Sequence, residues 1–353
     1  MLRTEVQEGR KVMKKKVSFV LSIVLTAASV LTGCSRTEAL DGTQVVAVLD
    51  ETTNMQLGEL NLMLRYEEAQ MQTYYASMFG TYIYQQDMGE GKVYGDVAAE
   101  TQMEDYKRMY ILEAEAANVG VELTEDEKAA ITETAKQFLK DNTDKAKAVM
   151  GVTQEHVERA LTLQTIEKKI YDVWTADVNT EVSDEEAAQK KISYVLASTQ
   201  GSEYDEEGNV IPLEDAEKES IRKTAEAVLA EAKKSDDLSA AAEANGLTAT
   251  EVTYGADSVS PAEEVRAAGD ELKEGEYSEL IETDSGYYIV YLVSELDREA
   301  TDAKKETIVE NRKTAMFEEE YQKVAEAHSF VIKEEVLAQL TFDRPYTLKV
   351  EAE

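Results

Sequence analysis

The sequence predicts an α+β protein in which a helical domain, built from two separate parts of the chain, carries an inserted small domain with an antiparallel sheet. Three observations lead to this architecture. Helical periodicity fills residues 57–182, strand and helix patterns alternate over 191–297, and helical periodicity returns beyond Asp297. Because one amphipathic helix cannot bury its apolar face alone, the returning helix is expected to pack on the first helical block.

Five consecutive parts are expected along the 353 residues, a length that suits about two domains. Residues 1–33 form a signal segment, and 34–43 form a polar tether. The helical domain begins with 44–187, the small α/β domain occupies 188–297, and 298–353 form the C-terminal helix and tail that return to the helical domain.

The first part has the pattern of an export signal. Basic residues precede an apolar run at 17–32, which is shorter than the ~20 apolar residues of a membrane span. The sequence LTGC at 31–34 is similar to the bacterial lipobox. This resemblance implies a lipid on Cys34, which would anchor the chain to the outer face of a Gram-positive type of cell membrane. An ordinary signal peptide is the alternative, and translation starts at either Met1 or Met13.

The charge and the cysteine count exclude several classes of protein. The chain has 72 acidic and 37 basic side chains, and removal of residues 1–33 would leave a net charge of −39. Such a surface repels phosphate backbones, so no nucleic-acid partner is expected. One cysteine excludes an internal disulfide and a multi-thiolate metal site. Without a phosphate-binding loop, zinc spacing or nucleophile elbow, no cofactor or metal is expected.

The helical block starts after a strand-like run at 45–49 and a turn at 50–54. Thr124 and Glu127 have the spacing of a capping box, and Ser183 begins a second one. Several apolar stripes are expected to face the core. They are Leu60, Leu64, Glu67 and Met71; Met103, Tyr106 and Tyr110; Ile131, Ala135 and Phe138; and Leu163, Ile166, Ile170, Val173 and Trp174.

Aromatic and methionine side chains are concentrated in the first long helix and the loop after it. Methionine and tyrosine adapt to varied apolar partners, so these residues are candidates for contacting unfolded clients. Ordinary packing in the core is the alternative. The candidates are Tyr66, Met71, Tyr74, Tyr75, Met78, Phe79, Tyr82 and Tyr84.

The following region alternates between strands and helices. A short continuous apolar run at 287–293 is typical of a central strand. The other expected strands are 192–196, 251–254 and 277–283, and the expected helices are 216–234, 238–244 and 262–268. A helix with Phe317, Tyr321 and Val324 on one face and a short strand at 330–332 complete the chain.

Two stretches of this region resemble a known enzyme family. The segment LKEGEYSELIETDSGYYIV at 272–290 is similar to the C-terminal signature of parvulin peptidyl-prolyl isomerases, and ISYVL at 192–196 resembles their first strand. Together with the signal, the helical block and the returning helix, these features resemble the PrsA-type foldase lipoproteins. The resemblance implies a chaperone or foldase whose partners are unfolded or extended secreted proteins. It leaves homodimer formation open.

The parvulin resemblance also assigns the expected site. It places the two active-site histidines of the family on Tyr194 and Tyr288 and the phenylalanine of the proline pocket on Asp270. Both histidines of the chain, His156 and His328, fall outside the module. Weak or absent isomerase activity is therefore expected. An active isomerase that uses hydroxyl groups is the alternative, and a solute-binding lipoprotein is disfavoured by the long helical block.

One further motif has the spacing of a metal site. Five residues follow the spacing of a calcium-binding loop, but the first is a glutamate and the segment before it is a strand. A solvated turn is therefore favoured over calcium binding. The five are Glu203, Asp205, Glu207, Gly208 and Glu214.

Overall fold

The computed structural model describes residues 39–79, 82–201 and 210–342, except for the side chains of 73–79. The predicted signal segment at 1–33 and Cys34 lie outside the described residues.

The chain divides into two units. Of the described residues, the helical unit contains 39–177 together with 315–342, and the sheet unit lies within Val178–Thr314. A helical unit formed by both ends of the chain, with a small antiparallel sheet in the inserted segment, confirms the predicted α+β fold class.

The helices and strands follow the chain in this order. The helical unit begins with β1 (Val45–Leu49), β2 (Thr53–Gln56), α1 (Leu57–Phe79), a 3-10 turn (Ile83–Gln85), β3 (Asp87–Gly89), β4 (Lys92–Val93), α2 (Tyr94–Glu115), α3 (Glu125–Asp141), α4 (Asp144–Met150) and α5 (Gln154–Trp174). The sheet unit contains α6 (Asp184–Ala187), β5 (Lys190–Ser198), α7 (Asp215–Ser235), α8 (Leu238–Ala244), β6 (Ala249–Tyr254), α9 (Glu263–Glu271), β7 (Ile281–Thr283) and β8 (Gly286–Ser294). Helix α10 (Arg298–Ala325) crosses the boundary, and β9 (Phe330–Ile332) and α11 (Glu334–Leu337) follow it.

Strand β1 joins the two ends of the chain within the helical unit. It pairs antiparallel with both β2 and β9, and Ala47 stands opposite Ile332. The ring of His328 lies beside this sheet, with Nδ1 2.6 Å from Asp50 Oδ2 and Nε2 3.2 Å from Glu115 Oε1. Burial lowers the pKa of His328, but the hydrogen bonds to the two carboxylates outweigh it and the net shift is upward.

Helices α1, α2 and α5 contact one another and form the centre of the helical unit. Tyr106 and Leu163, from two of the predicted stripes, are fully buried in this core. The Thr124 hydroxyl accepts the backbone N–H of Glu127 and begins α3, as the capping-box spacing predicts. Local sequence signals therefore account for much of this unit.

Helix α1 also carries a buried ion pair. The Arg65 guanidinium donates to Glu68 Oε2 at 2.6 Å and to the carbonyl oxygen of Thr341 at 2.6 Å. Tyr82 donates its hydroxyl proton to Glu68 Oε1 at 2.7 Å. Arg65 is 6% exposed and Glu68 is fully buried, so this pair is removed from water and depends on its partners.

Part of the predicted tether at 34–43 packs on the helical unit. Leu40 donates its backbone N–H to the carbonyl oxygen of Ala148, and Gly58 donates to that of Gly42, both at 2.9 Å. A Cβ atom on Gly42 would lie 1.8 Å from the carbonyl oxygen of Gly151. The chain is thus bound to the fold from Leu40 onward, at a backbone approach that only glycine permits.

The sheet unit has the strand order β6-β5-β8-β7, with every neighbouring pair antiparallel. Val195 and Ile289 face a core with helices α7 and α8, whereas Ile192 and Val290 face a core with α9. Both faces of the two central strands are covered, which explains the continuous apolar run at 287–293.

One predicted strand of this unit is shorter than expected. The sequence predicts a strand at 277–283, but regular strand structure is confined to β7. Tyr277 forms only an isolated bridge to Tyr291, and Leu280 turns toward the core on the α7 side. This interruption of the pairing divides the predicted strand.

Candidate functional site

Tyr194 and Tyr288, which the resemblance puts at the positions of the family histidines, lie together on one face of the sheet. They belong to the neighbouring strands β5 and β8, and their ring centroids are 6.0 Å apart at an interplanar angle of 46°. Tyr288 is only 8% exposed and Tyr194 is half-buried. The two rings therefore form an aromatic pair within the sheet surface, which leaves little of Tyr288 accessible to a peptide.

The phenol of Tyr288 is held in its protonated form. Burial raises its pKa, and the nearby Tyr194 and Glu264 raise it further. A phenol with a raised pKa can donate a hydrogen bond, but it cannot supply a titrating group near neutral pH, as an imidazole does.

The histidines of the chain lie in the helical unit. His156 is buried at the start of α5, with Nε2 2.6 Å from Gln56 Oε1 and Nδ1 3.2 Å from the carbonyl oxygen of Gly151. His328 contacts the carboxylates of Asp50 and Glu115. Both rings hold elements of the fold in place, and the sheet unit contains no histidine in the sequence 178–314.

Asp270, which the resemblance puts at the position of the pocket phenylalanine, belongs to a polar group at the end of α9. Its carboxylate lies 2.9 Å from Lys190 Nζ and accepts the Tyr254 hydroxyl proton at 3.0 Å. The Asp270 side chain is 58% exposed, so the carboxylate keeps water as well as two partners. A charged network thus stands where the resemblance implies an apolar wall for a proline ring.

Close contact between α9 and the sheet fixes this network. A Cβ atom on Gly269 would lie 2.6 Å from the Tyr254 hydroxyl oxygen and 3.1 Å from Ile192 Cγ2. The Tyr254 hydroxyl also donates to the carbonyl oxygen of Arg266 at 3.1 Å. Lys190 and Tyr254 were not identified from the sequence as partners of Asp270, because Lys190 is 80 and Tyr254 16 positions away from it.

The candidates for client contact have different surroundings. Tyr66 and Met71 are half-buried, and Met71 accepts the hydroxyl proton of Tyr84 with its sulfur at 3.7 Å. Tyr84 itself is fully buried, packs against Phe342 and is therefore a core residue. Tyr82 is half-buried and bound to Glu68. The side chains of Tyr74, Tyr75, Met78 and Phe79 lie outside the described residues.

The calcium template falls mainly on residues that the structure does not describe. Glu203, Asp205, Glu207 and Gly208 lie outside the described residues, while Glu214 is the N-cap of α7. Within 39–79, 82–201 and 210–342 no three acidic, histidine or cysteine side chains are close enough to share a metal ion. In these same ranges, no helix is long and apolar enough to cross a membrane.

The comparison with protein families identifies the inserted segment. Residues 199–305 match the family described as the PPIC-type PPIase domain, which confirms the predicted parvulin resemblance for this part of the chain. The match includes Asp270 and Tyr288, and it begins five residues after Tyr194. No curated protein is similar to this chain.

Solved structures of two kinds, PrsA foldases and a SurA-like chaperone, were found to be similar. A foldase protein PrsA from Lactococcus lactis has 16% identity and a TM-score of 0.33, over 84% of this chain and 98% of that one. The foldase protein PrsA from Streptococcus pneumoniae has 18% identity and a TM-score of 0.29, over 74% and 96%. A SurA-like chaperone structure from Campylobacter jejuni has 11% identity and a TM-score of 0.27, over 82% and 98%.

Proposed function

We propose that this chain is an extracytoplasmic chaperone or foldase whose parvulin-type module has little or no isomerase activity. The observation that carries this proposal is the match of residues 199–305 to the PPIC-type PPIase domain. The Tyr194–Tyr288 ring pair, which the resemblance puts at the positions of the family histidines, supports it. The module would keep its fold and bind extended polypeptide without catalysing a bond rotation.

The chemistry of prolyl isomerisation supports this assignment. Rotation about an X-Pro bond has a barrier of about 18–20 kcal/mol, which an enzyme lowers by binding the less conjugated amide more tightly than the planar one. An apolar pocket for the proline ring and groups that interact with the twisted amide are required. Here Tyr288 is nearly inaccessible, and the position of the pocket phenylalanine carries the charged pair of Asp270 with Lys190.

A coupled assay with a proline-containing peptide tests the proposal. The full chain should show a rate close to the uncatalysed one, while an intact parvulin assayed in parallel shows catalysis. Tyr194→Phe and Tyr288→Phe should leave the rate unchanged, because neither hydroxyl takes part. Catalysis comparable to the intact parvulin and lost in either variant would instead establish an isomerase that works through hydroxyl groups.

Chaperone activity needs a separate measurement. The full chain should suppress aggregation of an unfolded exported protein in a light-scattering assay, with an unrelated acidic protein as the control. Long-range attraction by the acidic chain, with a formal net charge of −35, would favour cationic clients and weaken as salt is added. If the full chain suppressed the aggregation of none of the clients tested, the chaperone assignment would be removed.

The location outside the cell membrane is the third part of the proposal. It rests on the LTGC sequence at 31–34 and on the apolar run before it. Expression in a Gram-positive host should place the full chain in the membrane fraction, with a labelled fatty acid incorporated. Cys34→Ala should abolish the label and release the chain. If the Cys34→Ala variant kept both the label and its place in the membrane fraction, another segment would hold the chain at the membrane.

A further inference from the structure

A cavity of about 440 Å³ in the helical unit is lined by side chains of α1, α2 and α5. Its volume lies within the ~300–1,000 Å³ that binding sites for small ligands occupy. Gln70 and Asp105 are exposed at its edge, so the cavity is open to solvent. A side chain of a bound polypeptide could therefore enter it.

Each of the three helices contributes one carboxylate to this cavity: Glu67 from α1, Asp105 from α2 and Glu167 from α5. Among the described residues none of the three accepts a hydrogen bond or forms a close ion pair, although the charge of Arg108 acts to lower the pKa of Asp105 and of Glu167. The one cation in the lining, Arg108, donates to Glu318 at 3.0 Å and lies over the Tyr321 ring at 4.9 Å. The lining therefore has an excess of negative charge.

A mostly buried amide also faces the cavity without a protein partner. Gln102 lines the cavity and is only 8% exposed, yet its side chain has no hydrogen-bond partner among the residues that the structure describes. Its amide atoms are not among the fully buried side-chain atoms that lack a partner, so they are open to the cavity and can be reached by a ligand there. A ligand with N–H groups would satisfy the amide oxygen of Gln102 and the carboxylates together.

The remaining lining suits an aliphatic stem. Met63 and Met109 present flexible, polarisable thioethers, and Tyr66 presents an aromatic ring. Lysine and arginine bury their hydrocarbon stems on apolar surface while the charged head reaches polar groups, and a cation over a tyrosine ring gains further attraction. The carboxylates are not close enough to share a metal ion, which favours an extended organic cation over an inorganic one.

We propose that this cavity binds the lysine or arginine side chains of extended client segments. This inference rests on the proposed chaperone function, and it names the chemical class of side chain that the helical unit selects. It also assigns Tyr66, one of the sequence candidates, to the wall of a specific site.

The test uses the full chain and two short, unstructured, labelled peptides that differ only by a central lysine or norleucine. Fluorescence anisotropy at physiological ionic strength should show tighter binding of the lysine peptide. Glu167→Gln should weaken that binding about tenfold, a loss in the range of one hydrogen bond to a charged group. The norleucine peptide should bind the two proteins equally.

A matched variant separates this site from general attraction by an acidic protein. Glu133→Gln removes the same charge from an exposed position on α3 and should leave lysine-peptide binding unchanged. Equal binding of the two peptides, or equal losses in the two variants, would overturn the cation site. A third measurement adds spermidine to the full chain. If spermidine stabilises the chain against unfolding while the lysine peptide binds no better than the norleucine peptide, the client assignment is overturned and the cavity is a small-molecule site.

The proposed chaperone function is judged from the aggregation assay, independently of the peptide-binding measurement. Suppression of client aggregation together with equal binding of both peptides would retain the chaperone and remove only the cation site. Binding of neither peptide and no suppression of aggregation would remove both.

Discussion

Replacement of Glu167 by glutamine is expected to stabilise the protein in a pH-dependent way. Burial raises the pKa of the Glu167 carboxyl group to about 7 from its ordinary 4.5; the charge of Asp105 adds to this shift and that of Arg108 opposes it. Glu67, which faces the same cavity, also has a raised pKa because it is buried and because of Asp105. Between these two pH values, Glu167 is therefore protonated in the folded chain and ionised in the unfolded chain.

The sign and size of the effect follow from this difference. Because the folded state binds more protons in this window, the free energy of unfolding falls as the pH rises from 4.5 through about 7. At about 1.36 kcal/mol for each pKa unit, the loss approaches about 3 kcal/mol above the window. Glutamine has the same shape and stays neutral, so Glu167→Gln should avoid this loss. Near pH 4.5 the two proteins should be almost equally stable.

Thermal unfolding on either side of the window measures the effect. For a domain of this size about 3 kcal/mol corresponds to an increase in Tm of about 6–12 °C, which is an upper value. Glu133→Gln, at an exposed position of α3, is the control and should change Tm little at either pH. The reasoning is refuted if Glu167→Gln lowers Tm above the window, or if its gain is the same near pH 4.5.

Three further changes test features of the helical unit. Arg65→Met leaves the Glu68 carboxylate buried without its guanidinium and should lower the free energy of unfolding by about 3–5 kcal/mol in chemical denaturation. The double variant Arg65→Met with Glu68→Leu should recover most of this loss, and a double variant weaker than the single one would contradict the explanation. His328→Gln removes a ring whose pKa is raised by two carboxylates. The Tm of this variant should fall below that of the unmodified protein most strongly below pH 6.5, and the difference should shrink as the pH rises through the folded pKa of His328. A difference that grows with pH would oppose this account. Gly42→Ala forces backbone atoms apart and should cost about 1–3 kcal/mol, with new proteolytic cleavage before β1. Gly120→Ala, where a Cβ meets no atom within 4 Å and only the positive φ is unfavourable, should cost about 1 kcal/mol, and equal costs would argue against the close approach at Gly42.

Local signals predicted the elements of this fold well. The capping box from Thr124 to Glu127 lies at the start of α3, and the apolar run at 287–293 forms most of β8. The capping box depends on residues that are close in sequence, and the apolar run depends on burial of a whole strand. The pattern of helix, inserted sheet and returning helix likewise follows from periodicity alone.

Side-chain environments were harder to predict, because periodicity identifies a face of a helix but not what that face contacts. Glu67 shares helical spacing with Leu64 and Met71, and an acid in an apolar stripe was the available signal for the cavity. Tyr84 was a candidate for a surface and is fully buried. The partner of Asp270 on β5, Lys190, is brought to it by the antiparallel sheet, which the spacing of residues could not reveal.

If Cys34 carries the proposed lipid, the hydrogen bond from Leu40 to Ala148 limits how far the helical unit could move from the membrane. With the proposed lipid on Cys34, the anchor and Leu40 would be only six positions apart along the chain. At about 3.3–3.6 Å for each fully extended residue, the distance from Cys34 to Leu40 is at most about 20–22 Å. The helical unit would then meet exported chains by lateral diffusion along the bilayer, within a thin layer above the headgroups, rather than by a three-dimensional search.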